Sequence, residues 1–472
     1  MPAGVDRTAG ARRAAALLAD HPRVLHAQVD VEAGDAGRGR LVARLTPRPV
    51  STGGAERVAH LQSMYELLYS KTDAPADPAF DVLGWVSSYD GAQMDPAALH
   101  EWVDLTVASV LASRPARVIE LGCGTGLLMS RIAPHCERYW ATDFSVAALR
   151  RARRAVPEVA VARRVRLLQR HADDLTGLPG DVDGVVINSV VQYFPDLDYL
   201  RRVLSGAVHA VRPGGTVWVG DVRSLPLHEV FHASVVTATS PDAEPAARAA
   251  AVLRRLAFDQ ELVIDPAFFT GLVEELPGVA GVEVRPKPAV HRNELSMFRY
   301  DVLLHVGERA AVVDVPWEDA DAYATPGALR DRLATDRPDI LAVTGIPDAL
   351  VAPAVSDWEA IRRGTPTRPW CTGPAPEDAT AHRLTRLADG LPYRLRLGLT
   401  AGRTDGAFDA VWVRQPGPVL WSIAVPTGPA RGPLSNRMPP GPPSSDELAA
   451  YLRPWLAPDL IPNAFIWQVA PG

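Results

Sequence analysis

The sequence is almost free of lysine. Lys71 and Lys287 are its two lysines among 49 basic residues; the rest are arginine, so most lysine chemistry is excluded. Cysteine is as scarce. Three in 472 residues cannot build a disulfide framework. Cys123 and Cys136 are too far apart for a short metal knuckle and Cys371 stands alone, so all three read as small buried hydrophobes. No apolar run approaches the ~18 residues of a membrane helix. Residues 1–22 carry no apolar core followed by a small-residue cleavage site, so no signal peptide is expected. A net charge of -6 excludes a general nucleic-acid binder and a polybasic membrane anchor. A cytoplasmic protein without nucleic-acid or membrane partners is expected.

What remains is an ordinary globular composition, 47% hydrophobic and 22% charged. Residues 11–20 read as a helix, and 21–33 and 37–47 alternate as half-buried strands. Segments 59–71 and 95–113 carry apolar residues at helical spacing, the second opened by Asp95-Pro96. From 115 to 306, strand candidates RVIEL, RYWAT, RVRLL, GVVIN and TVWVGD alternate with helical segments. That alternation implies an α/β fold with a mostly parallel, doubly wound, Rossmann-like sheet. Residues 282–289 and 298–306 read as late strands, an antiparallel pair at one edge. Beyond 308, helices are expected at 326–334 and 377–388 and strands at 391–400 and 408–414. Residues 426–443 form a Pro/Gly linker, and 444–456 a short helix.

The strongest local feature is the run 118–126, Val-Ile-Glu-Leu-Gly-Cys-Gly-Thr-Gly. A buried strand enters Gly122, Gly124 and Gly126, and a helix follows. Glycines let the backbone approach a ligand closely, and a helix N-terminus favours negative charge. The Gly-x-Gly-x-Gly spacing differs from the G-x-G-x-x-G of nicotinamide and flavin folds. Glu120 precedes the turn. Asp143, ending the next strand, can accept both ribose hydroxyls of an adenosine. Asp173 in HADDL stands where an adenine amino group could be read. Asn188 ends the fourth strand on the side where open α/β sheets bind ligands.

These features resemble a class I S-adenosylmethionine-dependent methyltransferase. Segments 81–94, 188–200, 211–235, 261–269 and 291–306 extend the likeness to methyltransferase domains embedded in nonribosomal peptide synthetases, over roughly residues 58–306. The resemblance implies S-adenosylmethionine as cofactor. Gly122–Gly126 would pack on its methionyl portion, Asp143 would hold the ribose, Asp173 would read adenine, and Glu120 and Phe144 would also belong to the cofactor site. Asn188 would lie near the sulfonium, and Trp85 and Tyr89 would form an aromatic lid. Trp85 could equally be a buried helix anchor.

The flanks carry a second resemblance. Residues 1–50 look like the first half of the small C-terminal subdomain of an adenylation domain, and 444–472 like its second half. With the methyltransferase core at 58–306 and an α+β extension at 307–425, this gives an interrupted subdomain around an inserted enzyme, and the two flanks are expected to form one small α+β domain. There is no adenylation core, no ATP loop and no Asn-Gly-Lys turn, so no amino-acid activation is expected. No carrier-protein serine motif is present; a tethered substrate must arrive on another protein, and a synthetase partner is possible.

Methyl transfer is an in-line displacement at an electrophilic methyl, so the protein must align an unprotonated nucleophile. Candidates on the acceptor side are Tyr193, Asp221, Arg223, His228, His232, Glu294 and Arg299. Asp221 and Arg223 follow the fifth strand, and His232 is one helical turn beyond His228. A His232–Glu294 pair, as related embedded O-methyltransferase domains use, would make a base. The plainer alternative is an internal Glu294–Arg299 salt bridge with His232 on a helix surface; His291 competes, and Tyr193 could be a packed aromatic. N-methylation of an amino acid or carrier-bound aminoacyl unit is the favoured expectation. O-methylation of a small metabolite's hydroxyl or carboxyl is the rival, and a non-catalytic scaffold partner of a synthetase is the third reading.

Overall fold

The computed structural model describes residues 7–19, 21, 24–32, 40–47, 54–70, 75–156, 158–323, 325–366, 373–374, 380–417, 419–424, 432–436, 445–453 and 455–467. Lys71, Trp370, Cys371, residues 48–53 and most of the 426–443 linker lie outside them. The chain divides into two compact units, one made of residues 55–437 and the other of 1–54 with 438–472.

The larger unit opens with two helices, α1 (Gly54–Tyr69) and α2 (Pro96–Leu111). Asp95 caps α2 by accepting from the Ala97 amide, and Pro96 takes the first-turn position whose missing N–H costs nothing. There follow β1 (Arg117–Leu121), β2 (Arg138–Asp143), α3 (Val146–Arg154), β3 (Val165–Gln169), β4 (Val182–Asn188), α4 (Leu197–Ala210) and β5 (Val211–Arg223). Next come α5 (His228–Thr239), α6 (Pro245–Phe258), α7 (Pro266–Glu275), β6 (Val279–Pro286) and β7 (Arg299–Val306). The sheet order is β3-β2-β1-β4-β5-β7-β6. Strands β1 to β5 pair in parallel, and β7 runs antiparallel to both β5 and β6. The expected doubly wound sheet with its late antiparallel pair is therefore present.

Successive residues of each central strand enter opposite cores. Ile119, Leu121, Val185 and Ile187 pack in one apolar cluster, Val118 and Val186 in the other. The strand order reverses beside β1, so a crevice opens between the carboxyl ends of β1 and β4.

Residues beyond 308 add a four-stranded sheet in the order Trp317–Asp319, Ile340–Ile346, Phe408–Arg414, Tyr393–Gly398. Helices Pro326–Thr335 and Thr380–Leu387 share its core around Trp412 and Phe408. Strand Ile340–Ile346 was not expected, because a short apolar run without alternation does not distinguish strand from helix.

In the smaller unit, strands Val24–Glu32 and Arg40–Pro47 form an antiparallel pair, and Ala464–Trp467 adds in parallel to Arg40–Pro47. Asn463 fixes the register: its side chain accepts from the Leu41 amide at 3.2 Å, and its own amide donates to Leu41 O at 2.8 Å. Leu18, Leu45, Leu448 and Leu452 make the core. No helix among the described residues is long and apolar enough to cross a membrane.

Candidate active site

Strand β1 delivers the chain into Gly122, whose φ is +79°. A Cβ there would lie 2.5 Å from Val190 Cγ2, so only glycine fits both the space and the left-handed backbone. The amides of Gly122 and Cys123 both donate to Thr142 O, tying the turn to β2. Asp143, at the end of β2, is held by two backbone donors: Gly124 N at 2.9 Å and Ser145 N at 2.8 Å. Each carboxylate oxygen keeps further acceptor capacity for a ligand. Burial pushes the Asp143 carboxyl up to about 6, against the pull of those amides. Gly122, Gly124, Asp143, Phe144, His171 and Tyr199 line a cleft of about 110 Å³.

Three residues expected at the cofactor do not themselves line this cleft. Glu120 is buried beneath the loop, accepting from the Tyr139 hydroxyl at 2.9 Å; burial raises its carboxyl to about 7. The alternation of β1 explains this, since Glu120 and its neighbours cannot share a face. Asp173 is exposed and accepts from the Tyr199 hydroxyl at 2.9 Å, leaving His171 and Ala172 on the cleft wall. Asn188 is buried behind Ser189, to whose Oγ it donates at 3.2 Å, and Ser189 is the residue exposed to the cleft. Trp85 packs on Trp102 and lines the neighbouring larger cavity, while the Tyr89 hydroxyl meets Ser234 Oγ at 3.3 Å.

That larger cavity, about 590 Å³, adjoins the cleft, and Tyr65, Tyr69, Ser189 and Tyr193 line both. The Tyr65 ring sits 5.3 Å from Tyr193 and 5.7 Å from Tyr69. Sequence reasoning placed Tyr193 here and missed Tyr65 and Tyr69. Their i,i+4 spacing on one face of α1 was the available signal.

Asp221 does not reach the cavity. It is fully buried at φ +66°, with Arg299 Nη1 at 2.6 Å and Ser189 Oγ at 2.7 Å on one oxygen, and Trp102 Nε1 at 3.2 Å on the other. Burial opposes its charge, but Arg299 and Lys287 outweigh that and hold the carboxyl below its ordinary range. Asp221 thus positions Arg299 and Ser189, which do line the cavity. Arg223 lines it too, forked onto Asp259 at 3.0 and 2.8 Å and reaching Glu261 at 2.9 Å.

The expected His232–Glu294 pair is not formed. His232 Nε2 lies 2.9 Å from Asp259 Oδ2, and His228 Nε2 lies at the same distance from that oxygen. Glu294 instead accepts from the Ser88 amide at 2.9 Å and its hydroxyl at 3.0 Å. The Glu294–Arg299 bridge is absent as well, because Arg299 is committed to Asp221. His291 is held by Glu101. The physical reason is tertiary: α6 ends at Asp259 and sets that carboxylate nearer α5. Burial lowers His228 to about 4 and also lowers His232, so both imidazoles are neutral near pH 7. Burial opposes the charge of Asp259, but the two histidines and Arg223 hold it well below the usual carboxylate range. For Glu294 burial prevails over Ser88 and raises the carboxyl.

The glycine turn, the anchored Asp143 and the cleft at the strand-order reversal define a class I, S-adenosylmethionine-dependent methyltransferase domain. A family model described as a methyltransferase domain matches residues 119–217. The chain is 39% identical over 416 residues to the chondramide synthase of Chondromyces crocatus, covering 84% of this chain and 11% of that protein. It is 34% identical over 331 residues to a nonribosomal peptide synthetase of Emericella nidulans, covering 65% and 13%. The chain therefore resembles a stretch about a tenth the length of such synthetases. Among solved structures it is similar to the N-methyltransferase NodS of Bradyrhizobium japonicum, at 17% identity and TM-score 0.36, over 52% of this chain and 98% of that one.

Proposed function

We propose that the chain transfers the methyl group of S-adenosylmethionine to the nitrogen of an amino acid or carrier-bound aminoacyl unit in nonribosomal peptide-type biosynthesis. The observation that carries this reading is Glu294. Its carboxylate lines the acceptor cavity, has Ser88 as its hydrogen-bond partner and enters no ion pair among the described residues. An incoming ammonium supplies the missing cation. Burial makes this carboxylate a better base than a solvated one. The ammonium gives Glu294 a proton and becomes the neutral amine. Its freed lone pair then bonds to the methyl carbon while the S–CH3 pair returns to sulfur, leaving a thioether. The Tyr65, Tyr69 and Tyr193 rings at the junction suit a cationic methyl donor.

One observation favours the rival O-methyl transfer: neutral His232 oriented by Asp259 beside the same cavity is suited to deprotonating a hydroxyl. The deciding experiment offers matched aminoacyl and hydroxyacyl thioesters, free and carrier-bound, with S-adenosylmethionine, and reads products by mass spectrometry. N-methylated aminoacyl product is expected; methylation confined to the hydroxy analogues would overturn the reading. For the flanking unit we propose descent from an adenylation-domain subdomain, with a scaffold or docking role. Its support is the pairing of strand Ala464–Trp467 with Arg40–Pro47.

A further inference from the structure

Helix α5 presents His228 and His232 one turn apart, and α6 delivers Asp259 against them. Their ligand-type atoms form a near-equilateral triangle: Nε2 to Nε2 is 3.1 Å, and each Nε2 is 2.9 Å from Asp259 Oδ2. Among the described residues this is the one group of three or more His, Cys, Asp or Glu side chains whose ligand atoms all lie within 4.8 Å of one another. All three residues line the acceptor cavity.

Hydrogen bonding alone accounts poorly for this triangle. Two imidazole donors would meet one oxygen roughly 60° apart, well inside the spread of its lone-pair directions. Arg223 Nη2 adds a third donor to that same oxygen at 2.8 Å. A cation bonded to each atom at about 2.1 Å would instead see the three ligands at about 90° to one another. That is one face of an octahedron, with the opposite face free.

We infer that His228, His232 and Asp259 form a binding site for a divalent first-row transition cation whose open positions face the acceptor cavity. Two imidazole nitrogens and one carboxylate select such an ion over magnesium or calcium. The surrounding groups fit the outer shell of a metal site. Arg223 grips Asp259 with both nitrogens, and Glu261 in turn holds Arg223, which fixes the ligating carboxylate. Arg255 Nε stands 3.4 Å from His232 Nδ1, a nitrogen that must carry the proton once Nε2 is ligated. Arg255 is exposed, and cation binding requires it to release that nitrogen. Asp259 and Glu261 together offset Arg223 and half of a dication's charge. The remaining positive charge draws an oxygen of the acceptor, carbonyl or carboxylate, onto an open position. The site stands whether the acceptor atom is nitrogen or oxygen. A ligated His232 can no longer act as a base, so an oxygen acceptor would need another base, and Glu294 keeps its role.

The test is a titration of the untagged, chelator-stripped full chain with Co(II), read by visible absorption, and with Zn(II) by equilibrium dialysis. One equivalent of each is expected to bind. His228→Ala and His232→Gln should each weaken binding at least about 100-fold, while Asp143→Ala, at the cofactor cleft, should leave it unchanged. S-adenosylhomocysteine binding reports folding of the two histidine variants without reference to the metal, and circular dichroism with thermal melting reports that of Asp143→Ala. No saturable Co(II) or Zn(II) binding by the folded wild type overturns the inference, as does equal binding by both histidine variants. If neither variant folds, pulsed electron paramagnetic resonance of the wild type with Mn(II) decides: two imidazole nitrogen couplings are expected, and none would overturn the site.

Discussion

Asp259 Oδ2 lies 2.9 Å from Nε2 of His232, the residue whose expected partner was Glu294. The carboxylate that orients the imidazole thus comes from the end of α6. Glu294, released from that task, faces the acceptor cavity with Ser88 at its back. This division assigns the two carboxylates different work, and it can be tested by changing each alone.

Glu294→Gln should lower kcat for an amine acceptor by about 10²–10⁴-fold, the usual contribution of a positioned base. Asp259→Asn should cost less with the same acceptor. Steady-state kinetics of both variants check this, and the reverse ranking would favour the histidine side as the base.

Asp143→Ala should weaken S-adenosylhomocysteine roughly 100-fold, about 3 kcal/mol, by removing charged hydrogen bonds. The wild type should show a pH signature. The free carboxyl sits at about 6, and a ribose bonded to the carboxylate favours its ionised form. The bound state then holds fewer protons, so affinity falls as pH drops below about 6, by at most about tenfold per unit. Calorimetry from pH 5 to 8 measures the slope; a flat profile would remove Asp143 from the ribose.

Gly122→Ala should abolish cofactor binding and destabilise the domain by about 1–3 kcal/mol. The new Cβ meets Val190 at 2.5 Å, and φ is +79°. Adding Val190→Ala should recover part of the stability, because it clears the contact but leaves the backbone strained. Chemical denaturation of the single and double variants separates the two costs.

The buried histidines give stability an acid limit. His228 falls from 6.5 to about 4 on folding, so between those values the unfolded chain binds more protons. Stability from this group is full above about 6.5 and is lost as pH falls towards 4. Asp143 and Glu120, both raised, act in the opposite sense. The difference between wild type and His228→Gln isolates the histidine: the wild type's relative stability should decline as the solution is acidified, measured by urea denaturation at several pH values.

Leu452 is fully buried in the smaller unit. Leu452→Ala should cost that unit about 2–5 kcal/mol. Amide exchange should quicken in strands Arg40–Pro47 and Ala464–Trp467 and stay unchanged in β1 and β4.

The elements that position the cofactor cleft were legible from local sequence. A buried strand running into three glycines, and an acidic residue ending the next strand, are short-range patterns that backbone geometry imposes directly. The i,i+4 relation of His228 and His232 was legible for the same reason. Other roles depended on which faces meet. Glu120 lies one residue before the turn, yet strand alternation puts it under the loop. Asp221 lies at the carboxyl edge of β5, yet its left-handed backbone turns it inward onto Arg299. The contribution of α6 was invisible, because residues 259–261 carry no turn or strand signal. By itself, then, the sequence determined the doubly wound fold, the glycine turn and the placement of Asp143, since each follows from periodicity and φ/ψ limits within a few residues. Only the tertiary structure decided which carboxylate meets His232, which tyrosines join the two cavities and which charges pair. Those contacts join residues far apart in the chain, and packing of whole elements sets their distances.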